Sequence, residues 1–318
     1  MTLKSTIKSF SAKFLNSVGL LDLAWGSDPS WRILMYHRIC NPEDLSYPIQ
    51  AGMYVRPETF NAHCQFLKSN SNVISVDDLI LKLQNREKIP KKTIAITFDD
   101  GWKDNLENAF PVLKGAGIPA TLFLPTSFID TNNLFWTDQI GRALRHTPEV
   151  FNGFSAFKDH NEETKLEIIL KDLFSLPFAE REKRVLELTK ALPENESREF
   201  LSWEEVSKLD YFGIKIGSHS HTHRLFQELS KKERKDELEE SCRILKSKGL
   251  FTSRVFVFPG GSHTEEMGKE CASVGYLASL KTNSKYNKNS LIFPRVGIHE
   301  DISNSIELFK YRLSLTKS

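Results

Sequence analysis

The chain has 318 residues, 40% of them apolar and 26% charged, ordinary proportions for a globular protein with one large core. A net charge of +2 leaves no basic excess and excludes nucleic acid as an expected partner. No run approaches the ~18 consecutive apolar residues of a membrane span, and Cys40, Cys64, Cys242 and Cys271 form no CxxC pair, which predicts buried free thiols in a reducing compartment.

In chain order, Ile7, Phe10, Phe14, Val18 and Leu21 recur every three or four residues and predict an amphipathic helix within residues 1–28. Its lysines are spread through the segment and no small-residue cleavage site follows, so it does not read as a cleavable signal. Two placements fit it: docked on the domain, or lying on a membrane surface. The expectation is a cytoplasmic protein with this helix docked on the domain, peripheral membrane contact through it being the alternative; oligomeric state is not legible.

Residues 29–318 read as one domain. Trp31 to Ile39 (WRILMYHRI) predicts a buried strand, and a helix from Pro57 carries Phe60, Cys64 and Leu67. A short strand and an acid-started helix follow in VISVDDLILKLQ. KTIAITF (Lys92 to Phe98) predicts a strand ending in Asp99-Asp100-Gly101, then a helix with Leu106, Phe110 and Leu113, then the strand ATLFLPT from Ala120. That is the crossover that builds parallel sheets. From about 134 to 200 the pattern is helical and charged, which predicts a helical insertion. Strands at GIKIGS, RVFVFP, GYLASL and LIFPRVGI, with helices near 231–248 and 265–274, complete an α/β barrel or doubly wound sheet.

Functional groups of α/β folds gather at the carboxyl ends of strands. Four polar clusters stand there: His37-Arg38, Asp99-Asp100-Gly101, His219 to His223, and Pro259-Gly260-Gly261. Successive side chains at a strand end point to opposite sides, so Asp99 and Asp100 are expected to do different work, one binding a cation and one acting as a base. Three of the nine histidines lie within His219-Ser220-His221-Thr222-His223. Spacing leaves three ligand pairings open: His219 with His221, His221 with His223, or His219 with His223. Two imidazoles and a carboxylate form a site with open positions. With zinc such a site activates water; with ferrous iron it would activate oxygen, as in a non-haem iron oxygenase. A spare aspartate favours hydrolysis, which needs a base.

ITFDDG (Ile96 to Gly101), SHSHTH (Ser218 to His223) and FVFPGG (Phe256 to Gly261) together resemble the polysaccharide deacetylase family, the NodB-homology carbohydrate esterases. The similarity covers roughly Trp31 to Ile302. The resemblance implies a distorted parallel (β/α) barrel with fewer units than the eight-unit form. It implies a divalent cation, zinc, held by Asp100, His219 and His223, with Asp99 as general base and Ser220 orienting a ligand from within the loop. The implied substrate is an N-acetylated glycan or lipid-linked sugar, deacetylated by attack of metal-bound water; a non-catalytic carbohydrate-binding relative is the remaining alternative. Two departures stand out: the third motif lacks the Arg and Tyr of R-x-P-Y-G, and no plain C-terminal L-x-H is present. Backbone N–H groups at Gly260 and Gly261 are the expected oxyanion donors, and Arg295 is expected to orient Asp99. The N-terminal LMYHRI is similar to the arrangement of poly-N-acetylglucosamine deacetylases, which makes His37 the expected general acid and His299 the fallback.

Overall fold

The computed structural model describes residues 11–17, 19–25, 31–151, 160–261, 263–282, 287 and 289–315. Seven strands form the frame: β1 (Trp31–Tyr36), β2 (Thr93–Phe98), β3 (Ala120–Leu124), β4 (Lys215–Ser218), β5 (Val255–Val257), β6 (Ala278–Thr282) and β7 (Ile292–Gly297). Every pairing between them is parallel, and β1 bonds both β2 and β7, so the sheet closes into a barrel. The two-residue strand Asn72–Val73 lies outside the ring on the first residues of β2, whose later residues pair with β3. Thus the crossover pattern, which fits a barrel or a doubly wound sheet, resolves to a barrel, and the barrel implied by the family resemblance closes with seven strands. The seam between β4 and β5 is thin, registered at Ser218 and Phe256.

Parallel strands covered on both faces read as continuous apolar runs, and β2 (TIAITF) is buried at every position. Alternation then sorts the side chains. Ile33, Ala95, Phe123, Val255, Val257, Leu280 and Phe293 belong to one cluster fed by six strands, which fills the barrel. Leu34, Ile94, Ile96, Phe98 and Leu122 face outward into the layer of helices. The helices, in order, are α1 (Leu20–Trp25), α2 (Pro57–Asn70), α3 (Val76–Gln84), α4 (Phe110–Ala116), α5 (Trp136–His146), α6 (Glu162–Phe174), α7 (Phe178–Thr189), α8 (Trp203–Tyr211), α9 (Lys231–Ser247), α10 (Glu265–Val274), α11 (Glu300–Ser303) and α12 (Ile306–Leu315). Helix α3 plugs the amino-terminal mouth: Val76, Leu79 and Ile80 join the interior cluster, and Asp77 accepts the N–H of Arg254 just before β5. The opposite, carboxyl-terminal mouth is left for function.

The strand predicted over Trp31 to Ile39 is a correction. It stops at Tyr36, and Arg38–Ile39 pairs with Tyr54–Val55 in a separate ribbon. The cause is side-chain competition for the backbone: Asn105 donates to the His37 carbonyl at 2.8 Å and Asp104 accepts the Ile39 N–H at 2.8 Å. Helices α5 to α7 lie between β3 and β4 and share a small core of their own, including Ile140, Leu166, Leu170 and Leu188. Of the residues expected to line the N-terminal helix, Ile7, Phe10 and Val18 lie outside the described residues; Phe14 is 59% exposed and Leu21 is buried. The four cysteines are free and buried. No helix among the described residues is long and apolar enough to cross a membrane.

Candidate metal centre and active site

Two strand ends build the centre of the carboxyl-terminal mouth. Ala95, Thr97 and Asp99 share a parity along β2, and Asp99 continues the interior row beyond the strand. Gly217 and His219 do the same beyond β4, where a Cβ on Gly217 would strike the Phe123 ring. Among the described residues, six non-glycine residues have positive φ, and three of them are Asp100 (75°), Ser220 (68°) and His223 (60°). Such backbone costs of order 1–3 kcal/mol and persists where surrounding contacts enforce it, often at functional sites. Here it brings Asp100 and His223 back to the rim. Gly101 follows at φ 74°, and a Cβ there would meet Leu124 at 2.6 Å.

The carboxylate of Asp100 and the rings of His219 and His223 each offer one ligand atom, all within 4.8 Å of one another. Asp100 Oδ1 is 3.5 Å from His219 Nε2 and 3.4 Å from His223 Nε2. His219 Nδ1 lies 2.9 Å from the Val257 carbonyl, so Nδ1 must carry the proton and Nε2 presents a bare lone pair. Burial pushes this imidazole down to about 4, against the pull of Asp99, and it is neutral near pH 7. Burial alone would raise Asp100, yet the histidines around it hold its carboxyl below the usual range. A buried Asp100 Oδ1 without a hydrogen-bond donor, facing bare imidazole nitrogen, is repulsive in itself and costly to leave unmatched. A divalent cation between the three resolves it, and two histidines with a carboxylate form a donor set suited to zinc. The residues fit such a cation.

The other Asp100 oxygen, Oδ2, accepts the Trp102 indole N–H at 3.0 Å. Trp102 is stacked on Phe200 at 4.4 Å, and the Arg38 guanidinium lies 4.3 Å from its ring. Arg38 is held by Asp104 at 2.8 Å and Glu199 at 3.1 Å. The indole therefore fixes which oxygen faces the histidines. Partners of metal ligands typically contribute 10–100-fold in affinity. Trp102→Phe, which keeps the ring and removes the donor, is expected to weaken zinc binding by about that factor in competition with a chelating dye. An unchanged affinity would show that packing alone sets the Asp100 rotamer.

Asp99 has a different partner. Arg295 donates to both its oxygens, Nη1 to Oδ1 and Nη2 to Oδ2, each at 2.6 Å, and both side chains are buried. Burial favours the neutral acid, but Arg295, then His219 and His37, outweigh it and hold this carboxyl below its usual range. Asp99 Oδ2 is 4.0 Å from His219 Nε2 and 3.9 Å from His37 Nε2. The adjacent aspartates are thus divided as their alternation suggested: one faces the cation position, the other is clamped beside it.

Ser220 sits within the loop, its Oγ accepting the His223 N–H at 3.0 Å. His221 points elsewhere: its Nδ1 lies 2.9 Å from Thr126 Oγ1, which removes two of the three histidine pairings. The loop is pinned by Glu237 of α9, which accepts the N–H groups of His221 and Thr222 at 2.8 Å each. Gly260 and Gly261 line the cleft with φ of 62° and 70°, and a Cβ on Gly261 would collide with Thr282. The Gly261 N–H, however, donates to the Phe258 carbonyl at 2.9 Å and is not free for an oxyanion, so Gly260 is left as the candidate donor of this turn. His299 stands just before α11 without a side-chain bond to its first turn, pairs with Asp301 and does not line the cleft. Trp102, Glu237 and Asn105 were not singled out in the sequence; each acts through a contact invisible to spacing.

A family model described as polysaccharide deacetylase matches residues 86–279, more than half of the chain. The chain belongs to the polysaccharide deacetylase family. YxkH of Bacillus subtilis is 23% identical over 251 residues, 79% of this chain. The poly-β-1,6-N-acetyl-D-glucosamine N-deacetylase of Staphylococcus epidermidis is 32% identical over 108 residues, 31% of this chain. The chain spans 63% of the first relative's length and 37% of the second's. Among solved structures, the deacetylase PplD of Streptococcus pyogenes superposes with a TM-score of 0.59 at 18% identity, covering 90% of this chain and 97% of that one. IcaB of Ammonifex degensii gives 0.59 at 17%, covering 88% and 97%. At such identities these likenesses bear on the fold, and they agree with the barrel described above. The resemblance to the polysaccharide deacetylase family is borne out, and poly-β-1,6-N-acetyl-D-glucosamine N-deacetylases are among the proteins the chain is similar to. His37 and Arg295 both lie outside the span the family model matches.

Proposed function

We propose that the cleft removes acetyl groups from an N-acetylated sugar, with a divalent cation, zinc, held by Asp100, His219 and His223. The observation that carries this reading is the pairing of two unlike carboxylates on one strand end. Asp100 Oδ1 is buried without a donor beside imidazole nitrogens, and Asp99 is clamped by Arg295 within 4.0 Å of the same histidine. An oxygenase needs the first carboxylate and has no use for the second.

A cation held by Asp100, His219 and His223 would supply Lewis acidity, lowering the pKa of a water beside it. Asp99 accepts the proton of that water as it adds to the acyl carbon. Arg295 keeps the Asp99 oxygens aimed and ionised. The Gly260 N–H supports the oxygen that gains charge. His37, 3.9 Å from Asp99 across the same floor, delivers a proton to the nitrogen as the carbon–nitrogen bond breaks. The products are acetic acid and a free amine; Asp99 is left protonated and His37 without its proton, and return of that proton from Asp99 to His37 across the 3.9 Å between them closes the count.

An amide needs that last proton more than an ester does, because an amine anion is a very poor leaving group. His37→Ala is therefore expected to slow release from an N-acetylated sugar by about 10²-fold while slowing an activated O-acetyl ester far less. Acetate release on matched amide and ester substrates reads the difference. Equal losses on both would assign His37 to structure and leave the acid to another group.

A further inference from the structure

The metal centre occupies one end of a cleft of about 1330 Å³, larger than the few hundred to 1000 Å³ of an ordinary small-molecule pocket. The remainder runs outward between the 222–228 loop and the helical insertion. That outer arm is walled by Phe174, Phe178, Val185, Leu186 and Leu225. Leu186 is 69% exposed and Phe174 46%, although both stand on helices otherwise rich in charge. Exposed apolar side chains grouped around one cleft signal an apolar occupant.

A glycan chain would ask for something else. Each desolvated hydroxyl needs a partner, and sugar rings stack on open aromatic faces. Here the rings are already engaged: Phe135 stacks on His223 at 4.1 Å, Arg224 lies 4.3 Å from the Phe178 ring centre, and Trp136 meets Phe174 edge-on at 4.8 Å. The two arginines of the arm are committed as well, Arg181 to Glu228 at 2.5 Å and Arg224 to Glu233 at 3.2 Å. Polar side chains line the cleft too, Gln139, Glu182, Lys183, Thr189 and Gln227 among them, but the exposed apolar side chains Phe174 and Leu186 add a ring edge and aliphatic surface that offer a sugar hydroxyl nothing, in the same cleft that holds Asp99 and Asp100.

We infer that the arm takes a hydrocarbon chain joined to the acetylated sugar, so that the substrate class is an amphiphilic glycolipid and the chain lies along α7 while the acetamido group lies at the metal centre. This rests on the deacetylase reading for the sugar end only. The test uses two series kept below their micelle concentrations: methyl to octyl glycosides of glucosamine, which bind without turnover, and the same glycosides of N-acetylglucosamine for acetate release.

Calorimetry on the zinc-loaded protein is expected to show affinity rising about two- to fourfold per methylene, the range set by partial to full burial of each group. Leu186→Glu, at an exposed position where folding is not at stake, is expected to flatten that dependence. Affinity independent of alkyl length, or rising with the number of sugar units instead, overturns the inference whatever the rates. Length-dependent affinity with no acetate from any N-acetyl glycoside upholds the arm and overturns the deacetylase reading, so the two fail separately.

Discussion

Asp99→Asn is expected to lower the rate of acetate release by roughly 10²–10⁴ while the protein still binds one equivalent of zinc. The substitution keeps the side chain's size and removes its ability to take a proton. Metal retention follows from geometry: the cluster that converges within 4.8 Å consists of Asp100, His219 and His223, and Asp99 is outside it. The variant also leaves Arg295 with one acceptor oxygen where the fork now meets two, so some loss of stability accompanies the loss of rate. Metal content and rate are measured on the same preparation. A variant that loses its zinc, yet regains activity when zinc is restored, would reverse the roles of the two aspartates.

Arg295→Met is expected to cost about 3–5 kcal/mol in chemical denaturation, because a buried carboxylate is left without its cation. Its pH dependence has a definite sign. In the native protein Arg295 and the two histidines outweigh burial and hold Asp99 below the usual carboxylate range. The stability the pair contributes is therefore present above the unfolded aspartate value near ~3.9 and is lost only as pH falls through the lower folded value. Without Arg295 burial acts unopposed by its largest counterweight, and Asp99 titrates higher. The acid limb of kcat/KM should move to higher pH, and the destabilisation should shrink on acidification as Asp99 takes up a proton. An acid limb that stays in place, with less than about 1 kcal/mol lost, would mean that Arg295 is not what sets the state of Asp99.

The barrel was legible because its strands are short, apolar and regularly separated by helical patterns, and because parallel strands covered on both faces leave little ambiguity. Closure was not legible in the periodicity and came only from the family resemblance, because whether β1 pairs with β7 depends on contacts between opposite ends of the chain. Strand alternation said that the two aspartates differ, but only the family resemblance said which faces a cation and which is the base. The histidine pair was not legible in the spacing, because positive φ at Ser220 and His223 decides which ring turns inward, and the buried Glu237 that pins the loop comes from a different helix. The break at His37 escaped periodicity for a similar reason, since Asn105 and Asp104 capture the neighbouring backbone from far along the chain. Gly261 reads as an oxyanion donor until its N–H is found in the turn to Phe258. His299 was the fallback acid by sequence order, yet its ring pairs with Asp301 and does not line the cleft. What the sequence hides here is side chains acting on distant backbone.

Deacetylation of an N-acetylated sugar by this cleft would require a cation held by Asp100, His219 and His223. Acetate and free amine released from an alkyl glycoside of N-acetylglucosamine, measured before chelation, after chelation and after adding back one equivalent of zinc, address that directly. The expected result is equimolar acetate and amine, abolished by the chelator and recovered at one zinc per chain. Release that is indifferent to chelation, or none at full metal loading, would contradict it.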